Sequence, residues 1–174
     1  MTTDTMTIRS LDAAETRERI AQLAEVLRDC VEGGASVSFM LPMARATALD
    51  FWEKVADGVA RGERTLLVAE DDRGIAGTVQ LITDMPENQP HRADVAKLLV
   101  HRRARNGGVG RRLMLAVEEA AREQGRRVLV LDTASGTAER LYERLGWQRV
   151  GVVPDYAYMP DGSLCGTAFY YKHL

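Results

Sequence analysis

Apolar residues recur along the chain in two rhythms, a period of about 3.6 residues for helix and of about 2 for strand. Met6-Thr7-Ile8-Arg9 reads as a first strand. Ile20, Leu23, Ala24, Leu27 and Val31 then share one helical face, with Asp12 placed to cap the helix and Gly33-Gly34 to end it. A loop over 35–40 leads to a second helix from about Pro42 to Arg61, with Ala48, Phe51, Trp52, Val55 and Val59 inside. Residues 65–70 and 75–82 are strand-like runs joined by Asp71-Asp72-Arg73-Gly74, a hairpin signature. After a loop over 85–90, His91 to Val100 forms another strand. A helix carrying Leu113, Val117, Ala120 and Ala121 follows and ends at Gly125. Arg127 to Asp132 is a continuous apolar run suited to a buried central strand. A short helix from about Thr137 to Leu145 stops at Gly146, and Gln148–Val153 and Thr167–Lys172 are the last strands. This order predicts an α/β chain with a mixed sheet and helices on both faces.

The turn between the strand ending at Val100 and the next helix carries the first chemical signal. Arg105-Asn106-Gly107-Gly108-Val109-Gly110-Arg111 stands at a helix start, where free N–H groups and the helix dipole favour an anion such as a phosphate. The glycines keep side chains out of the way of a pyrophosphate, and Arg105, Arg111 and Arg112 add positive charge. A Walker loop needs Lys-Ser or Lys-Thr after its last glycine, where Arg111-Arg112 stands. The dinucleotide fingerprint needs other glycine spacings.

Composition narrows the class. A length of 174 residues fits one domain spanning 1–174. The net charge of −2 argues against a nucleic-acid partner, and the one basic cluster, His101 to Arg105, lacks interleaved aromatics. Cys30 and Cys165 form no CxxC or Cys/His cluster, so no metal site is expected and a reduced, cytoplasmic chain is. Both cysteines read as buried apolar residues, and His91, His101 and His173 as exposed or capping ones. No apolar run is long enough to span a membrane and no signal-peptide core opens the chain, so no membrane partner is expected.

The Arg-x-x-Gly-x-Gly pattern at Arg105, Gly108 and Gly110, between a strand and a helix, resembles the pyrophosphate loop of the Gcn5-related N-acetyltransferase (GNAT) superfamily. Ala138-Glu139-Arg140-Leu141-Tyr142-Glu143-Arg144-Leu145-Gly146-Trp147 is similar to the superfamily's Ala-x-x-Leu-Tyr-x-x-x-Gly-Phe segment. The resemblance implies a mostly antiparallel sheet of six to seven strands and acetyl-CoA as cosubstrate. It implies pantetheine contacts at the main chain of Leu98, Leu99 and Val100, and pyrophosphate contacts over Arg105, Asn106, Gly107, Gly108, Val109, Gly110 and Arg111. Ser135 stands where many members carry a cofactor-binding asparagine. Residues 33–40, 92–100, 131–133 and 150–162 resemble the tabtoxin-resistance branch, which implies a small amino-acid-like toxin amine as acceptor. Homodimers are common in the superfamily, and edge strands near the C-terminus would serve for pairing.

The resemblance makes Tyr142 the group that protonates the leaving thiolate, and the residue equally suits a packed helix tyrosine. An amine must lose a proton before attacking a thioester, so a carboxylate beside the cleft is needed. Asp132, ending a buried strand, is the first candidate and Asp94 the second; a turn acceptor and a salt-bridged strand residue are the alternatives. Phe39, Met40 and Trp52 would supply apolar walls for a substrate cleft, or simply belong to the core. The expected reaction is direct transfer in a ternary complex to a small-molecule amine. A non-catalytic acyl-CoA-binding module and an enzyme acting on peptide amines are the alternatives.

Overall fold

The computed structural model describes residues 5–174; the first four, part of the stretch read for a signal-peptide core, lie outside the described residues. Seven strands form one sheet: β1 (Thr7–Leu11), β2 (Arg64–Asp71), β3 (Gly74–Ile82), β4 (Arg92–Val100), β5 (Val128–Thr133), β6 (Gln148–Tyr158) and β7 (Leu164–His173). Their spatial order is β1-β2-β3-β4-β5-β7-β6. Among the described residues only the β4–β5 pair is parallel.

The helices are α1 (Ala13–Glu18), α2 (Ile20–Glu32), α3 (Arg45–Ala60), α4 (Val109–Glu123) and α5 (Gly136–Arg144). One face of the sheet packs Leu66, Val68, Ile75 and Leu99 against Leu23, Leu27, Val31, Trp52 and Val55. The other packs Leu67, Val79, Leu81, Val95, Leu129 and Leu131 against Leu113, Met114, Val117 and Tyr142. Strand residues therefore alternate between two cores, which explains the near-continuous apolar runs.

Three elements differ from the sequence-based expectation. Asp12 caps as expected, its carboxylate accepting Glu15 N–H while its own N–H donates to the Glu15 carboxylate, but the first helix breaks at Arg19. The Arg19 side chain reaches Glu70 Oε2 at 2.8 Å, which ties the break to β2. The next helix starts at Arg45 rather than near Pro42. Leu41 N–H instead donates to Pro160 O at 3.0 Å, so this stretch is spent docking on the β6–β7 hairpin. Finally, β6 and β7 are longer than the patterns suggested. Pro154 and Asp155 sit in an irregularity between Val153 and Ala157, with Asp155 at φ +51, and the edge strand resumes beyond it.

Candidate active site

The site exists because β4 and β5 part company. They pair over Arg92–Asp94 and Val128–Val130 and then diverge. The gap opens a cleft of about 1340 Å³ between the two strand ends. Ordinary small-molecule pockets hold about 300–1,000 Å³, so there is room for a long donor and an acceptor together. Residues 95–100 of β4 form one wall, the turn and first residues of α4 one end, and the C-terminal end of β5 with α5 the opposite wall.

The β4 wall is irregular. Thr78 pairs with Leu99 and Gln80 with Ala96, so β4 carries one residue more than β3 across this interval, and Lys97 takes φ +54. His101 N–H donates back to Ala76 O on β3 at 2.8 Å. By the alternation of a strand, the polar backbone groups of Val100 point the other way. The Val100 carbonyl accepts Arg105 Nε at 3.1 Å and Cys30 Sγ at 3.5 Å.

At the end of the cleft, α4 begins with Gly108 as N-cap at φ +76 and without a side-chain cap. Its first N–H groups thus remain for a ligand. The three glycines have different reasons. Gly108 adopts a left-handed conformation that side chains disfavour. At Gly110 a Cβ would stand 3.3 Å from the Leu141 side chain, so the residue permits close approach of α4 to α5. Gly107 has neither constraint. Asp29 braces the start of the turn by accepting Arg102 N–H at 2.8 Å and Arg102 Nε at 2.9 Å. Burial pushes the Asp29 carboxyl up, but these bonds and the His101 and Arg102 charges outweigh it and leave its pKa lowered. His101 Nδ1 accepts Arg103 N–H, the expected capping role.

The cations are distributed differently from the linear pattern. Arg105 and Arg111 line the cleft, whereas Arg112 turns away to donate to Met6 O at 2.7 Å. Arg140 and Arg144, on α5, line it as well. Neither was singled out in the sequence, where only their helical spacing of four residues marked them as neighbours on one face. Lys97 was also missed; its signal is a single basic residue inside an apolar strand.

Tyr142 lines the cleft and is only 5 % exposed, with its ring against Trp147 and Tyr170. Its hydroxyl makes no hydrogen bond among the described residues. Burial, reinforced by the charge of Asp132, raises the Tyr142 pKa further above the neutral range. The phenol is therefore protonated at neutral pH. Trp147 is held by Glu118, which accepts its indole N–H at 3.0 Å and Lys172 Nζ at 2.9 Å.

Asp132 stands at the end of β5 in the same cleft, accepting a 2.8 Å hydrogen bond from Thr167. Asp94 is not among the lining residues. It forms an ion pair with Arg92 one turn of the pleat earlier, on the paired part of β4. Ser135 lines the cleft while its hydroxyl caps α5 by accepting Ala138 N–H at 3.3 Å. Phe39, Met40 and Trp52 do not line the cleft. Trp52 is fully buried under the sheet, Phe39 packs on Phe51, and Met40 faces solvent on the loop. Cys165, expected buried, lies partly exposed in the cleft, while Cys30 is buried and its thiol pKa is raised by burial. No His, Cys, Asp and Glu cluster suited to a metal ion occurs among the described residues, and no described helix is long and apolar enough to cross a membrane.

The fold and the turn agree with comparisons to known proteins. The chain superposes on an N-acetyltransferase from Staphylococcus aureus Mu50, with a TM-score of 0.79, 17 % identity and coverage of 97 % of this chain and 98 % of that one. It is equally similar in fold to yncA from Salmonella typhimurium, whose structure holds its cofactor acetyl-CoA (TM-score 0.77, 22 % identity, 97 % and 94 % covered). An N-acetyltransferase encoded in the hisH-hisA intergenic region of Azospirillum brasilense is 35 % identical over 129 residues, 73 % of this chain and 74 % of the relative. The family model of the acetyltransferase (GNAT) domain matches residues 62–149, from the start of β2 to the start of β6. With a phosphate-type turn at the head of α4 and a cleft between splayed strands, the chain belongs to the GNAT family of N-acetyltransferases.

Proposed function

We propose that the cleft binds acetyl-CoA and that the enzyme passes the acetyl group directly to the primary amine of a small amino-acid-like or toxin molecule. The observation that carries this reading is the continuity of the cleft. One opening joins the uncapped start of α4 to Asp132 and Tyr142. The relative yncA, of the same fold, is found with acetyl-CoA.

The residues present fit such a donor. The free N–H groups of Val109, Gly110 and Arg111, with the Arg105, Arg111, Arg140 and Arg144 guanidiniums, suit a pyrophosphate and a further phosphate. Leu98 and Val100 line the cleft where β5 has left β4 unpaired, which suits an extended amide-bearing arm lying along β4. When bound, acetyl-CoA supplies an activated acetyl group on sulfur. Asp132 takes the proton from the acceptor ammonium, directly or through one water, so that the nitrogen lone pair is free to attack. Tyr142 Oη, protonated and without a hydrogen-bond partner among the described residues, gives its proton to the departing sulfur. Direct transfer between the two bound reactants requires no covalent enzyme intermediate, and the thiol of Cys30, pushed up by burial, is unsuited to form one.

Two copies pairing along β6 would complete the picture. This edge strand shows Val150, Val152, Tyr156 and Tyr158 to solvent, an apolar stripe that edge strands rarely leave uncovered. Sedimentation velocity of the wild type against Val152→Lys tests the pairing.

The test of function is release of CoA thiol from acetyl-CoA over a panel of amines headed by tabtoxinine-β-lactam and free amino acids. Turnover lost in Asp132→Asn and in Tyr142→Phe, with acetyl-CoA binding retained, is the expected result. Wild-type turnover in both variants would overturn the assignment of the two groups.

A further inference from the structure

We infer that Lys97 reads an acidic group on the acceptor, so that the acceptor is a free amino acid or a molecule built like one. This rests on the proposed role of Asp132: the acceptor's ammonium faces Asp132 and its carboxylate faces Lys97.

The backbone singles Lys97 out. It sits where β4 carries its extra residue, at φ +54, a region that side-chain-bearing residues adopt at a cost. Glycine would take this conformation freely, so the fold alone gives no reason for a lysine here. Bulges re-aim side chains beside functional sites, and Lys97, at this one, lines the cleft together with its hydrogen-bond partner Ser38.

The surroundings leave the ammonium under-used. Nζ makes one hydrogen bond, to Ser38 Oγ at 3.1 Å, and lies 5.9 Å from the centre of the Phe51 ring. An ammonium carries three donors. Among the described residues Lys97 has no ion pair within 4.0 Å, although it is half-buried and desolvation lowers its pKa, the mark of a charge that gains from a partner. Ser38 is itself held at φ +82, so the loop that meets Lys97 is also in an uncommon conformation.

Charge completes the argument. Asp132 lines the same cleft and acts on Lys97 electrostatically without touching it, while Thr167 holds one of its oxygens. Arg64, on β2, adds positive potential to the Lys97 side. A fixed anion and a fixed cation that share a cleft but do not pair are complementary to a zwitterion. A neutral amine would satisfy Asp132 and leave Lys97 unpaired. A free amino acid satisfies both.

The experiment compares each of the twenty free amino acids, and tabtoxinine-β-lactam, with its primary amide as acceptor. Loss of one charge-assisted bond predicts that the best free acid exceeds its amide by about 10–100-fold in kcat/KM. Lys97→Met raises KM for the acid by a similar factor, leaves kcat within about threefold and leaves the amide unchanged. Lys97→Arg restores part of the discrimination. Lys97→Gly, which suits the backbone at this position, gives the same loss of discrimination in a protein at least as resistant to heat, which separates recognition from folding. Amides accepted as well as acids by the wild type, no free amino acid accepted at all, or Lys97→Met weakening acid and amide alike would each overturn the inference. Unaltered turnover in Asp132→Asn would instead remove the reading beneath it.

Discussion

Thr167, on β7, donates its hydroxyl to Asp132 Oδ2 across the end of β5, 2.8 Å away, and is itself 4 % exposed. One oxygen of the cleft carboxylate is thereby fixed while the other carries no hydrogen bond among the described residues. Replacing Thr167 with Val keeps the shape and removes the restraint. A hydrogen bond to a charged group is worth about 1.5–3 kcal/mol, so kcat should fall roughly tenfold or more. Acetyl-CoA binding should be unchanged and Thr167→Ser should restore activity. Steady-state kinetics with calorimetric titration of acetyl-CoA checks this.

Tyr142 offers a separation of chemistry from stability. Its ring packs on Trp147 and Tyr170, and its hydroxyl bonds to nothing among the described residues. Tyr142→Phe should therefore leave the unfolding free energy unchanged or slightly raised, because it removes a buried hydroxyl that makes no hydrogen bond. Its kcat should fall by about 10²–10⁴, the usual worth of a positioned proton donor. A variant that melts early would show that the hydroxyl has a structural partner.

Glu118 is the opposite case. Only 2 % exposed, it accepts Trp147 Nε1 and Lys172 Nζ, and so holds the aromatic ring behind Tyr142. Glu118→Ala takes the counter-charge from the Lys172 ammonium, 18 % exposed, and leaves it the Leu145 carbonyl as acceptor. Breaking one side of a buried ion pair costs about 3–5 kcal/mol. Urea denaturation should show that loss, and the double variant with Lys172→Met should recover part of it.

Acid should loosen the phosphate turn through Asp29. Its folded pKa is lowered: burial pushes it up, but the Arg102 hydrogen bonds and nearby positive charge outweigh that. A depressed carboxyl pKa adds stability that is present above the unfolded value, about 3.9 for Asp, and is lost as pH falls through the folded value. Glu70 and Asp71, lowered chiefly by hydrogen bonds from Arg9 and Arg103, act in the same direction. Below about pH 4 the wild type should therefore lose stability, and Asp29→Asn should lose less over that window while starting from a lower value. Chemical denaturation as a function of pH measures both. Because Asp29 anchors Arg102 at the start of the turn, the same variant should raise KM for acetyl-CoA more than it lowers kcat.

Periodicity and punctuation alone defined most elements. The α4 stripe, the β2–β3 hairpin at Asp71–Gly74 and the Gly146 stop are local effects, decided by residues within a turn or two of one another. The phosphate turn was legible for the same reason: glycines, arginines and a helix start lie adjacent in the chain. Tyr142 and Asp132 could be named from short patterns, but not their shared cleft. Distance along the chain decided the rest. The sequence ranked Asp132 above Asp94 because it ends a buried strand, but the point where β4 leaves β5 is what puts Asp132 in the cleft and leaves Asp94 beside Arg92. Trp52 suited a cleft wall and a core position equally well in the sequence, and the packing of α3 on the sheet decided for the core. Lys97 was invisible because its exposure to the cleft depends on a register slip against β3, and register is set by two strands together rather than by either sequence alone.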